Sequence, residues 1–253
     1  MARTGFSLAV GCMHRYSGAV NTSAHLQNTV ALLSALAQDS SQQVQLWALH
    51  ALILTIDSAG YEFRSHVAAT VTLCAQVLHG DSSGSVRRSA GDVINALITT
   101  LGPELQMEDQ LRTTFLLLLD DMLSSAHAAV QLSALEALQQ MTIYCPKAVS
   151  VPKIMSIVQI HVTNQHLQLR HAAVVILKQL AQRQPEAVMR AGSGIERVVF
   201  RMLDGEDDAR MQVDLRDVIT EFLSTLAEQN PSHWLVLCNS VLSGATEKES
   251  QVI

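Results

Sequence analysis

Gly80-Asp81-Ser82-Ser83-Gly84 has the G-x-S-x-G spacing of a nucleophile elbow, in which a serine is exposed on a sharp turn from a strand into a helix. The apolar residues ahead of it, Val67, Val71, Cys74, Ala75 and Leu78, recur at helical spacing, so the required strand is missing and the stretch reads as a helix-to-helix loop. Ser150-Val151-Pro152-Lys153 has the S-x-x-K spacing of penicillin-recognising enzymes, without their S-D-N and K-T-G companions. His161, His166 and His171 are five residues apart, and on a continuous helix each such step turns about 140° out of line. Thr163-Asn164 breaks the helix between them, so they are not expected to share a metal. The pairs Asp120-Asp121 and Asp207-Asp208 read as solvated helix ends and not as catalytic carboxylates. The expectation is therefore a chain with no catalytic, cofactor-binding or metal-binding residues and with no cofactor.

Composition narrows the class further. The 253 residues are 48% hydrophobic and carry a net charge of −6, and the 17 lysines and arginines are scattered. Nucleic acid needs a concentrated basic face, and 4% aromatic residues leave little on which bases could stack. Cys12, Cys74, Cys145 and Cys238 lie far apart in or beside apolar helical stretches, the pattern of free, buried thiols in a reducing compartment. The longest apolar runs, such as Phe115 to Leu119, are too short to span a bilayer. Arg3, the Phe6 to Met13 run and Ser17-Gly18-Ala19 have the order of a signal peptide, but His14 and Arg15 interrupt it and a repeat helix is the better reading. Asn21-Thr22-Ser23 is a glycosylation triplet that reads here as a turn and helix cap.

The elements that position these residues come from one repeated frame. Val86, Ala90, Val93, Ile94 and Leu97 stand at offsets 0, 4, 7, 8 and 11 and lay one apolar stripe along a helix. The same frame recurs as Val44, Ala48, Ala51, Leu52 and Thr55 or Ile56, and as Val130, Ala134, Ala137, Leu138 and Met141. Two further copies are Leu169, Ala173, Ile176, Leu177, Leu180 and Met211, Leu215, Val218, Ile219, Phe222. Successive copies begin 42, 44, 39 and 42 residues apart. That period, with a second helix in each interval, is the mark of a solenoid of helix pairs. Five residues before each copy stand Asp39, Asp81, Ser125, Asn164 and Glu206, read as helix caps. Offset 1 holds Gln45, Arg87, Gln131, Arg170 and Gln212, which resembles the Asp and Val-Arg pattern of the HEAT repeat; with two arginines only, a continuous Asp/Arg ladder is not expected.

The expected fold is all-α, an α-solenoid of about five HEAT-type helix pairs near 21–58, 61–101, 105–144, 147–183 and 193–226, with an unpaired helix at each end. The end helices are expected at 5–16 and 231–242, followed by a polar, disordered tail at 243–253. Gly60 is expected to break one helix, Gly80 to end another as a left-handed cap, and Gly102-Pro103 to close a third. Gly91 falls inside a helix and points to close helix contact. Leu8, Ala9, Val10, Cys12 and Met13 at one end lack a mate, as do Trp234, Leu235, Leu237, Cys238, Val241 and Leu242 at the other.

GCMHRYSGAVNTSAHLQNTVALLSALAQDSS from Gly11, VQLWALHALILTIDSAG from Val44, ALITTLGPELQ from Ala96 and SHWLVLC from Ser232 resemble the HEAT-repeat-containing protein 5 family. The likeness covers nearly the whole chain and is strongest before residue 60. It implies an internal segment or truncated form of a much longer, non-enzymatic scaffold. Known members work with the clathrin adaptor complex, aftiphilin and gamma-synergin in transport between endosomes and the trans-Golgi network. The implied location is cytoplasmic, with peripheral association to Golgi and endosomal membranes through partners. A HEAT scaffold of another pathway, such as a nuclear-transport receptor or a phosphatase scaffold, fits the repeat equally well.

Overall fold

The computed structural model describes residues 2–16, 19–80, 82–192, 194–229 and 231–250, apart from the side chains of 2, 19–23, 226–227, 229, 234 and 244–250. No strand occurs among the described residues. The chain forms two compact units, Met1–Val149 and Ser150–Ile253.

The first unit contains α1 (Ala2–Tyr16), α2 (Ala19–Leu36), α3 (Gln42–Ala59), a 3-10 segment (Gly60–His66), α4 (Val67–His79), α5 (Gly84–Met107), α6 (Asp109–Leu123) and α7 (Ala128–Tyr144). A second 3-10 segment, Pro146–Ala148, follows. Helices pair as α2 with α3, α4 with α5 and α6 with α7, the frame-bearing helices stack, α3 on α5 and α5 on α7, and α1 stacks on α3. The second unit contains α8 (Val151–His161), α9 (Leu167–Arg183), α10 (Pro185–Ala191), α11 (Ile195–Gly205), α12 (Ala209–Gln229) and α13 (Pro231–Ser250). Here α8 pairs with α9 and α11 with α12, α9 stacks on α12, and α13 packs on α12. The short α10 packs against α8, α9 and α12.

Every residue of the five frame copies is buried, from Val44 to Phe222. Each large frame side chain removed from water contributes about 1.5–3 kcal/mol of transfer free energy, so the stripe accounts for why these segments stack. Close approach is the second requirement. A Cβ built on Gly91 of α5 would lie 2.3 Å from Ser133 Cβ on α7, and one on Gly102 would lie 2.6 Å from Tyr144 Cβ. Gly102 follows Gly91 by 11 residues and Tyr144 follows Ser133 by 11, so α5 and α7 run in one direction in constant register. Gly11 of α1 meets Ala51 of α3 in the same way, its built Cβ 2.7 Å from Ala51 Cα.

Several boundaries differ from expectation. Asn21 to Ala24 is not a turn, because α2 already starts at Ala19; the stretch holds neither glycine nor proline, so nothing stops the helix extending backwards. The cap side chains of Asn21, Thr22 and Ser23 lie outside the described residues, as does Asp81. Gly80 is extended (φ −74°, ψ 174°) and not left-handed, whereas Gly60 does take φ +54° at the end of α3. Gly102-Pro103 does mark a helix boundary, as expected: α5 is broken by non-helical Leu101 (φ −112°, ψ 17°), and a second short helix runs on to Met107 with Pro103 in its first turn, where no N–H is needed. Helix α13 carries helical backbone through residues 243–250, past the expected limit at Leu242; Trp234's side chain lies outside the described residues.

The upstream polar residues work differently from caps. N-caps are Ser41, His127 and His166, held extended, and the polar residue two positions earlier turns the chain into them. Asp39 Oδ1 accepts the Ser41 N–H at 2.9 Å, Ser125 Oγ that of His127 at 3.2 Å and Asn164 Oδ1 that of His166 at 2.9 Å. Glu206 Oε1 accepts from Asp208 at 3.2 Å, and Asp208 Oδ1 then caps Met211 N–H at 2.8 Å. The offset-1 side chain closes each turn from the other side. Gln45, Gln131, Arg170 and Gln212 donate to the carbonyls of Asp39, Ser125, Asn164 and Glu206, six residues back, at 2.8, 2.8, 3.1 and 2.6 Å. Arg87 donates to Gly80 O at 2.7 Å. Glutamine and arginine thus serve one local purpose, and Arg170 reaches on to the next layer as well, to Glu206.

Leu138 is buried in the α7 frame and Gln139 beside it is partly exposed. Leu138→Ala is expected to cost about 2–5 kcal/mol in chemical denaturation, the range for cavity-forming core truncations, with Gln139→Ala near neutral. Equal losses from the two would show the register to be wrong.

Candidate interaction surface

Once the frame fixes which residues point inwards, the positions between them fall into rows on the outer side of the stacked frame helices. Offset 2 holds Leu46, Arg88 and Leu132 in the first unit, offset 6 holds His50, Asp92 and Glu136, and offset 9 holds Ile53, Asn95 and Gln139. Arg88 of α5, set between two leucines in its own row, is the centre of this face. Its Nε lies 3.2 Å from Asp92 Oδ1 one turn on, and its Nη2 donates to Glu136 Oε2 of α7. Burial raises the Asp92 carboxyl above the ordinary value; Arg88 pulls it back, Glu136 pushes it further up, and His50 of α3 pulls it down. The ion-pair network thus joins α5 to α7, and His50 of α3 acts on Asp92 only through space. Trp47, half-buried on α3, packs its ring 5.8 Å from that of His50, tilted by 54°. Asn95 Oδ1 is buried and accepts from no protein donor.

The second unit carries its own version. Lys178 of α9, at offset 9, binds Asp214 Oδ1 at 2.9 Å and Asp217 Oδ2 at 2.6 Å on α12, and His171 Nε2 lies 3.2 Å from Asp214 Oδ2. Hydrogen bonds to Asp217 and Asp214 raise the Lys178 pKa, which keeps the clamp charged. Sequence reading missed both networks, although His50, Asp92 and Glu136 share offset 6, which a tabulation of the positions between frame residues would have exposed.

The residues first considered for chemistry are not brought together. Ser82 lies in the α4–α5 loop, lining an open cleft of about 330 Å³ with Gln38, Gln76 and Gly80, and α4 precedes it where an elbow requires a strand. Ser150 is the exposed N-cap of α8, and Lys153 is exposed one turn on. His161 is buried at the end of α8, His166 is the exposed N-cap of α9 and His171 faces Asp214. Among the described residues no group of three or more His, Cys, Asp or Glu side chains could hold a metal ion. Asp121 is not merely solvated, since it pairs with His79 Nε2 of α4 at 2.7 Å. All four cysteines are free, but only Cys74 and Cys145 are buried as expected, Cys12 and Cys238 being partly exposed; burial pushes the Cys74 thiol up to about 12 and that of Cys145 to about 11, which makes both poor nucleophiles.

Frame helices stacked in this way, each unit with an outer face of its own, define a helical-repeat solenoid fold of the armadillo and HEAT type. Solved structures agree on the fold: an engineered protein has a TM-score of 0.57 at 16% identity, covering 87% of this chain and 90% of that one. A designed armadillo repeat protein has 0.56 at 14% identity, with 87% and 92% covered. Another, solved in complex with the peptide (KR)4, has 0.56 at 14%, with 85% and 91% covered. Among curated proteins, Protein SWEETIE of Arabidopsis thaliana is 30% identical over 253 residues, taking in 96% of this chain. The chain spans 11% of that relative's length. No family model matches the chain. No helix among the described residues is long and apolar enough to cross a membrane.

Two buried histidines give the units a pH dependence. Burial lowers the His14 pKa, with the charge of His25 adding to the effect, and burial lowers that of His161. His14 shares a 2.7 Å hydrogen bond with Thr29 Oγ1 of α2. Because both folded values lie below the ordinary 6.5, the unfolded chain takes up protons first. Stability is then complete above that value and falls as the pH drops below it. Thermal melts are expected to show a lower Tm at about pH 5.5 than at about pH 7.5, with the drop reduced in His161→Gln; an undiminished drop in that variant would contradict the assignment.

Proposed function

We propose that this chain is the partner-binding part of a non-enzymatic scaffold that supports clathrin-adaptor-dependent vesicle transport between endosomes and the trans-Golgi network. The observation that carries the binding role is the cross-layer face of α3, α5 and α7, where Trp47, His50, Arg88, Asp92 and Glu136 offer an aromatic ring and charges on one rigid support. A solenoid spreads such a face along its layers and has no enclosed centre for turnover. The armadillo neighbour holding a peptide is consistent with a protein or peptide ligand. The trafficking assignment draws on the strings at Gly11, Val44, Ala96 and Ser232 that resemble the HEAT-repeat-containing protein 5 family. Its partners would be the clathrin adaptor complex, aftiphilin and gamma-synergin, and membrane association would be peripheral and carried by them.

Affinity capture from cytosol with the intact chain is the test. Adaptor subunits are expected in the eluate, and Trp47→Ala or His50→Ala is expected to reduce their recovery several-fold, the exposed His50 at unchanged Tm. Recovery of nuclear-transport cargo or phosphatase subunits in their place would replace the trafficking assignment, and undiminished adaptor recovery with both variants would move the binding face elsewhere.

A further inference from the structure

Helix α1 meets its neighbours with small and polar residues on one side and is apolar on the opposite, exposed side, which a helix at the end of a stack is not required to be. One side holds Ser7, Gly11 and His14, all buried towards α3 and α2. The other holds Phe6, Ala9, Met13 and Tyr16, spaced 3, 4 and 3 residues apart, which places them on one line. Phe6, Met13 and Tyr16 are 52%, 68% and 81% exposed. Gly5 lies on the same side, and a Cβ built there meets nothing within 4 Å. Interior frame helices are contacted on two sides: α5 packs on both α3 and α7, with Gly91 and Gly102 turned to Ser133 and Tyr144 of α7.

The repeat geometry states what would cover α1. The step that puts α3 on α5 and α5 on α7 also puts α1 on α3, with Gly11 against Ala51 as Gly91 is against Ser133. Continuing that step lays another frame helix on the Phe6, Ala9, Met13, Tyr16 side. The relative of which this chain spans 11% extends far beyond the matched segment. We propose that this side of α1 is an interlayer interface for one further helix pair of the same repeat type, within one longer polypeptide. The inference rests on the scaffold reading only in taking the chain as a stretch of a longer array, and it is independent of which partner the array binds.

Hydroxyl-radical footprinting tests it. Met13 and Tyr16 would be compared between the purified 253-residue chain and the polypeptide isolated from cells that express it. The expected result is a longer polypeptide in which Met13 and Tyr16 are protected several-fold, while exposed Ile160 is modified equally in both. Met13→Glu should restore Tyr16 modification and lower the Tm in the longer polypeptide, and leave the Tm of the purified chain unchanged. Equal modification of Met13 and Tyr16 in the two samples would overturn the proposal. So would protection seen only where the 253-residue chain dimerises, since the cover would then be a second copy. Adaptor capture could fail while the footprint succeeds, so the two readings fall separately.

Discussion

The structure depends on how closely its frame helices approach one another. Offset 4 is alanine in four of the five copies, and Gly11, Gly91 and Gly102 stand where a side chain would strike the neighbouring helix. Small residues allow backbones to come near, and near backbones bring the larger frame side chains at offsets 7, 8 and 11 into dense contact, where dispersion and burial act together. Fixing that register also fixes everything outside it. Arg88 can reach Glu136, and Lys178 can reach Asp214 and Asp217, because offsets on adjacent layers stay in step.

The same dependence explains the kind of protein this is. Each layer is held mainly by its neighbours, so polar interactions recur locally: a turn closed by a side chain two residues ahead of the cap and a glutamine or arginine six residues on. Buried histidines act locally as well, His14 on the α1–α2 contact and His161 at the end of α8. A ligand meeting such a structure meets a row of side chains supplied by successive helices. That suits extended protein segments better than small substrates, which need a concave, largely apolar enclosure.

Much of this was legible in the sequence because the frame is a burial pattern, and burial is what periodicity reports. The five copies, their pairing with an intervening helix and the close contact at Gly91 all follow from the spacing of apolar and small residues. Helix ends were less legible. Asn21-Thr22-Ser23 has the composition of a cap yet lies within α2, because residue type alone does not decide between cap and interior. The surface network was the least legible part. Arg88 and Glu136 are 48 residues apart and become neighbours only through the stacking of α5 on α7.

Packing at Gly91 tests the account most directly. In an open helix position Gly→Ala stabilises by about 1 kcal/mol through helix propensity. Here the added Cβ would sit 2.3 Å from Ser133 Cβ, so Gly91→Ala should destabilise the protein, and Ser133→Gly should relieve part of that loss in the double variant. A double-mutant cycle by chemical denaturation should then give a coupling of about 0.5–3 kcal/mol, as for residues in direct contact. A stabilising Gly91→Ala, additive with Ser133→Gly, would mean that α5 and α7 do not approach as described and that the layered frame is not what holds the chain together.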